Sequence, residues 1–315
     1  MVTQEGENVL VLGVRGNFDE AQSGVKSIFS DAALADRLKR AGVVFSSANS
    51  INWGRLAPQI AYYYSAYAQL LASGDFHMGD TVDFSVPTGN FGDIMAGYLA
   101  KLSGLPVGRL ICASNANNVL TDFLHTGIYD KNREFFLTMS PSMDILVSSN
   151  LERLLYFLSG DPGQVAAWMK NLNESGKYDA GPVREIAKRA GFEGCSANEA
   201  QTARTILETW NEYRCLVDPH TAVGLFAARQ QRSGTNVDPH CVVLSTASPF
   251  KFARSMLTAL GQMCPQSGFD AQDVLSDYTR QPIPAPLRSL REKRERFPRV
   301  VDPSEMSGTI EEWLA

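Results

Sequence analysis

Short apolar runs rich in β-branched residues recur along this chain. Longer stretches lie between them, in which apolar residues return every three to four positions. The runs NVLVLGV (8–14), VVFSSA (43–48), DTVDFSV (80–86), RLICAS (109–114) and CVVLSTA (241–247) predict buried strands. The intervening stretches 21–42, 58–74 and 92–104 predict helices, each closing at a glycine that can take the left-handed conformation of a helix end. Strands alternating with helices predict an α/β fold with a mostly parallel sheet flanked by helices.

The rhythm changes after residue 150. LERLLYFLSG, GQVAAWMKNL and NEAQTARTILETWNEYR succeed one another as helical patterns, so 151–217 is expected to be a helical insertion. Residues 218–270 should return to the sheet. The prolines of QPIPAPLRSL suggest that 271–315 is an extended C-terminal tail. The α/β core with its main chemistry is expected within 1–150.

Composition narrows the partners. Of 315 residues, 44% are hydrophobic and 20% charged, enough apolar material for a large core. With 34 acidic against 29 basic residues, the net charge of −5 offers no broad positive field to nucleic acid or anionic lipid. The basic run 288–299 is interrupted by Glu292 and Glu295 and reads as a solvated helix face. No apolar stretch reaches membrane-spanning length, and MVTQEGENV lacks the pattern of a secretion signal. Five scattered cysteines without C-x-x-C spacing indicate neither a disulfide framework nor a zinc site, and a reducing cytoplasm is expected.

The sharpest chemical signal is VDFSVPTGNFGDIMAGYLAKLSG. A buried strand runs into a glycine-containing turn and straight into a helix, which leaves backbone N–H groups and the positive end of the helix dipole aimed at one point. Gly89 and Gly92 allow close approach, and Asn90 can add a side-chain donor. Neither G-x-x-x-x-G-K-[ST] nor G-x-G-x-x-G is present, so a single phosphate is expected. The plainer alternative is a tight turn with Asp93 as an ordinary first-turn acid.

Asn49, Ser50, Asn52 and Arg55 in NSINWGR cluster after the expected strand 43–48 and suit a phosphorylated ligand, with a surface ion pair as the other reading of Arg55. Ser140, Ser142 and Asp144 in SPSMD read as turn or capping residues. In DPHTAVG, Asp218 is an N-cap candidate, Pro219 takes the first helical position, and His220 is expected to be structural. His77, His125 and His240 show no metal-ligand spacing.

PTGNFGDIMAGYLAKLSGLPVGRLICASNANNVLTDFLHTGIY and TMSPSMDILVSSNLERLLYFLSG closely resemble threonine synthases, and so do GNFDEAQSGVKSIFSD, SANSINWGRLAPQIAYYYSAY, LVDPHTAVG, VVLSTASPFKF and IPAPLRSLREK. The resemblance implies the type II fold of pyridoxal-phosphate enzymes, which is similar to tryptophan synthase beta. It also implies conversion of O-phosphohomoserine and water to threonine and phosphate. It assigns Gly89, Asn90, Phe91, Gly92 and Asp93 to the cofactor phosphate. Thr246 falls to the pyridine nitrogen, with Ser245 second, and Asn49, Ser50, Asn52 and Arg55 to the substrate.

Two features depart from the family pattern. Ser248 replaces the usual histidine in SPFKF, and the family's Schiff-base lysine lies upstream of the segments matched here. Lys26, Lys39, Lys101, Lys131, Lys170, Lys177, Lys188, Lys251 and Lys293 do not fit its motif. No catalytic residue is therefore assigned. The chain alone is expected to be inactive and to work with a missing N-terminal segment or a second copy. The alternatives are a non-catalytic fragment that binds phosphorylated small molecules, or a related pyridoxal-phosphate lyase.

Overall fold

Eight strands form three sheets in the computed structural model, which describes residues 1–16, 18–48, 50–232 and 240–314. They are β1 (Gly13–Val14), β2 (Val82–Pro87), β3 (Val107–Ser114), β4 (Ile128–Asp130), β5 (Lys177–Asp179), β6 (Phe192–Ser196), β7 (His240–Val243) and β8 (Val300–Val301). Two compact units result: Met1–Ser47 with Pro284–Ala315, and Ala48–Ile283. The expected segment limits at 150, 217 and 270 all fall inside the second.

The larger unit is built on a four-stranded parallel sheet in the order β6-β3-β2-β7. All six residues of β2 are buried, Asp83 and Ser85 among them, as befits a central parallel strand covered on both faces. From β2 the chain moves outward through β3 to β6, then jumps back to β7 on the other flank of β2. The carboxyl end of β2 therefore lies at the reversal of strand order, where open α/β sheets place their ligand crevice.

Buried Asp83 ties β2 to β3. Its carboxylate accepts the backbone N–H of Arg109 at 2.6 Å and meets the guanidinium at 2.7 and 2.8 Å. Gly108 leaves room for this, since a Cβ there would stand 2.4 Å from Asp83 Oδ1. Helix Gly92–Leu102 packs on helix Ile60–Ser73 through Gly97, where an added Cβ would lie 2.5 Å from the ring of Tyr63. Helix Pro219–Arg232 closes on the sheet in the same way through Gly224, whose carbonyl accepts the Ser85 hydroxyl at 2.7 Å.

Several expectations are corrected. The segment 151–217 is not wholly helical, because it carries β5, which pairs antiparallel with β4, and β6, which edges the main sheet. Gly194 and Glu193 break the apolar signal of β6, yet the glycine is required, since a Cβ there would lie 2.9 Å from Thr121 Cα. Residues 43–48 form no strand, and Val44 is 75% exposed.

Of 8–14 only Gly13–Val14 pairs, with an equally short β8. The expected helix over 21–42 is two helices, Phe18–Ser30 and Ala32–Arg40, because the Asp31 side chain caps the Leu34 N–H at 2.9 Å. The C-terminal stretch is not extended throughout. Helix Gly268–Thr279 buries Ala271 and Leu275, and helix Met306–Leu314 buries Met306 and Thr309.

In the smaller unit, Ile28, Leu34, Leu38, Val301 and Met306 form a separate apolar cluster. Among the described residues no helix is long and apolar enough to cross a membrane, and all five cysteines are free thiols.

Candidate phosphate-binding site

The turn after β2 is shaped by two close approaches and one unusual backbone conformation. A Cβ on Gly89 would lie 2.8 Å from the Ser142 carbonyl oxygen, and one on Gly92 would lie 2.8 Å from Ser50 Cβ and Oγ. Between them Phe91 takes the left-handed conformation at φ 62, which costs free energy in a non-glycine residue. Burial of its ring against Phe192, with centroids 5.8 Å apart, offsets that cost and fixes the turn. Gly92 then begins helix Gly92–Leu102.

Donors and acceptors in the turn are treated differently. The Gly89 carbonyl takes the Ser148 hydroxyl at 2.8 Å, and the Asn90 carbonyl takes the Asn150 backbone N–H at 3.0 Å and its Nδ2 at 2.9 Å. Among the described residues no acceptor faces the backbone N–H groups of Gly89, Asn90, Phe91, Gly92 or Asp93. With its carbonyls held back, the turn presents donors at a helix N-terminus, and a small anion is the complementary ligand.

These residues line a cavity of about 300 Å³ together with Ser50, Arg55, Gln59, Thr88 and Ser142. Arg55 is exposed on its rim and supplies positive charge. Asp93 supplies the opposite sign, but burial pushes its carboxyl up to about 6, with the Tyr63 hydroxyl drawing it partly back.

The expected site residues do not all gather here. Gly89, Asn90, Phe91, Gly92, Asp93, Ser50 and Arg55 line the cavity. Asn52 does not line it, and its Oδ1 caps the Gly54 N–H at 2.9 Å in the short helix Trp53–Leu56. Asn49 lies outside the described residues. The 50–55 cluster therefore sits on a turn and a short helix and not at a strand end. Thr246 and Ser245 are exposed just past β7, the strand beside β2, and neither lines this cavity.

Asn150 is the residue that sequence reasoning missed. Fully buried, it donates to both Ser50 Oγ (2.8 Å) and the Asn90 carbonyl, while its Oδ1 accepts from Arg153 Nε at 3.0 Å. Arg153 also reaches the Ile51 carbonyl and sits over the Trp53 ring, 6.0 Å from its centroid. The one available signal was the polar SSN just before an apolar helix, and that pattern reads equally well as a helix cap.

Asp144 is likewise more than a turn residue. It is buried, and its carboxylate accepts from Asn115, Asn117, Thr138 Oγ1 and the Thr138 backbone N–H. Asn115 also reaches Ser140 Oγ at 3.0 Å. This network holds the segment that carries Ser142 against the turn.

Residues 221–310 match the family model described as threonine synthase, C-terminal. The chain is 43% identical over 264 residues to a threonine synthase of Pseudomonas aeruginosa, covering 83% of this chain and 54% of that protein. It is 39% identical over 305 residues to mouse threonine synthase-like 1, covering 94% of this chain and 40% of that protein. The crystal structure of a PLP-bound threonine synthase from Brucella melitensis superimposes with a TM-score of 0.79 at 37% identity, over 99% of this chain and 60% of that one. The chain thus spans between 40% and 60% of the length of these relatives. Its architecture is that of the type II pyridoxal-phosphate enzymes.

Proposed function

Because this chain belongs to the threonine synthase family, we propose that its larger unit supplies the phosphate-binding part of a pyridoxal-phosphate lyase. The reaction proposed for the complete enzyme turns O-phosphohomoserine and water into threonine and inorganic phosphate, by elimination at the γ-carbon and hydration at the β-carbon. The observation that carries this reading is the turn 89–93, with five backbone donors that meet no acceptor among the described residues and two glycines pressed against Ser142 and Ser50. A phosphate monoester fits that donor set, beside which Asp93 is the one acidic side chain among the described lining residues, its pKa raised to about 6 by burial.

Gly89 to Asp93 would hold the cofactor phosphate through main-chain N–H groups, with the Asn90 side chain beside them. Thr246 would meet the pyridine nitrogen with a neutral hydroxyl, and Ser248 would stand in that neighbourhood where the family pattern has histidine. Ser50 and Arg55, with Asn49 and Asn52 of the same NSINWGR segment, would receive the substrate phosphate. When bound, the cofactor supplies an electron sink for the carbon acid chemistry.

No lysine lines the cavity among the described residues, and Lys101 donates instead to the Gly108 and Ala190 carbonyls. The amine that this chemistry needs is proposed to come from a further segment or a second copy. A reducing cytoplasm is the proposed setting, in keeping with five free thiols.

The test is equilibrium titration of the 315-residue chain with pyridoxal phosphate and with inorganic phosphate. Gly92→Asp should weaken both by about tenfold or more, since it places a side chain and a negative charge among the donors. Unchanged affinity would overturn the assignment of the turn. Supplied with O-phosphohomoserine and pyridoxal phosphate, the chain alone should form no threonine by NMR, and sustained turnover would refute the missing-amine reading. In the complete enzyme, a product lacking the added hydroxyl would instead indicate breakdown without hydration.

A further inference from the structure

Asp218 and His220 lie outside the cavity lining yet connect to two parts of the proposed site. Asp218 is fully buried and His220 is 2% exposed. The Asp218 Oδ1 accepts the His220 backbone N–H at 2.9 Å and faces the ring Nδ1 at 2.8 Å. On the far side of the ring, the Ser142 backbone N–H donates to Nε2 at 3.2 Å. A backbone N–H can only donate, so Nε2 is unprotonated and the ring proton sits on Nδ1, pointed at the carboxylate.

Ser142 is the residue whose carbonyl stands 2.8 Å from the place a Gly89 Cβ would occupy. The second carboxylate oxygen of Asp218 accepts the Thr221 hydroxyl. The Thr221 hydroxyl also reaches Ser245 Oγ at 3.2 Å, sharing its one proton between the carboxylate and that oxygen. Ser245 immediately precedes Thr246.

We propose that Asp218 and His220 are positioning residues that hold the two halves of the cofactor site in register. One arm runs through Ser142 to the phosphate turn, and the other through Thr221 and Ser245 to the residue proposed for the pyridine nitrogen. The proposal rests on the reading of residues 89–93 as a phosphate cradle.

Two substitutions at one position separate it from a packing role. His220→Gln can place Oε1 where Nε2 accepts from Ser142, whereas His220→Asn is too short to reach. His220→Asn should weaken inorganic phosphate binding about tenfold and speed exchange of the Ser142 amide by a similar factor, while His220→Gln recovers most of both. Thr221→Val tests the other arm and should weaken pyridoxal phosphate more than inorganic phosphate.

Equal behaviour of the Gln and Asn variants in both measurements would overturn the proposal, as would an undisturbed Ser142 amide in His220→Asn. Thermal midpoints serve as the control for global folding, and Thr221→Val still decides the matter should the Asn variant not fold. If the wild-type chain binds no phosphate, the cradle reading fails. The exchange contrast at Ser142 then supports or overturns the link from Asp218 by itself.

Discussion

Tyr63 donates its hydroxyl to Asp93, at 2.8 Å to the backbone carbonyl and 3.3 Å to the carboxylate. One buried ring on a neighbouring helix thus fixes both the first turn of the phosphate-site helix and the only acid that lines the cavity among the described residues. Burial raises the Asp93 pKa to about 6.

This raised value makes stability depend on pH with a definite sign. Between the usual carboxylate pKa near 4 and the folded value near 6, the native chain holds a proton that the unfolded chain releases. Stability due to Asp93 is therefore complete below pH 4 and lost as pH rises through 6. Asp93→Asn, which keeps an acceptor for Tyr63, should be more stable than wild type above pH 6 by about 1 to 3 kcal/mol, with the gap closing below pH 4. Urea melts at pH 4 and pH 7.5 measure this, and a gap that does not change with pH would contradict it.

Asn150 should matter for affinity as well as for stability. Asn150→Ala removes the donor shared by Ser50 and Asn90 and leaves Arg153 without its acceptor there. Phosphate affinity should fall about tenfold, with a stability loss of about 1 to 3 kcal/mol. Calorimetric titration beside a thermal melt separates the two effects.

Gly97 offers a test of packing. Gly97→Val drives a side chain into Tyr63 and to within 2.9 Å of Leu110 Cδ2. A loss of about 1 to 3 kcal/mol is expected. Combining it with Tyr63→Leu should cost less than the sum of the single changes, because the clash and the ring occupy the same space. Strict additivity would show that the two helices adjust independently.

Breaking the link between β2 and β3 should be among the costliest changes. Arg109→Ala leaves the buried Asp83 carboxylate facing only a backbone N–H, with an expected loss of about 3 to 5 kcal/mol by chemical denaturation. Asp83→Asn with Arg109→Met should lose less, since no buried charge is then left uncompensated.

What could be read from the sequence was local. DTVDFSV and RLICAS carry their burial in their own composition, and the turn 87–93 announces itself because strand, glycines and helix adjoin. Asn150 was hidden because its partners Ser50 and Asn90 are 100 and 60 residues away, and nothing adjacent marks a side chain that bonds so far. β6 was hidden for the opposite reason, since the glycine that lets Thr121 approach also erases the strand pattern. VVFSSA has strand composition but gains no pairing partner, and composition cannot supply one.

The order of strands carries a consequence for synthesis on the ribosome. Val82 of the central strand pairs with His240, which is translated 158 residues later. At about 5 to 20 residues per second, one flank of that strand stays without its neighbour for roughly ten seconds or more. The nascent polypeptide therefore presents an open apolar edge during elongation, and a chaperone acting before residue 240 emerges should improve its yield.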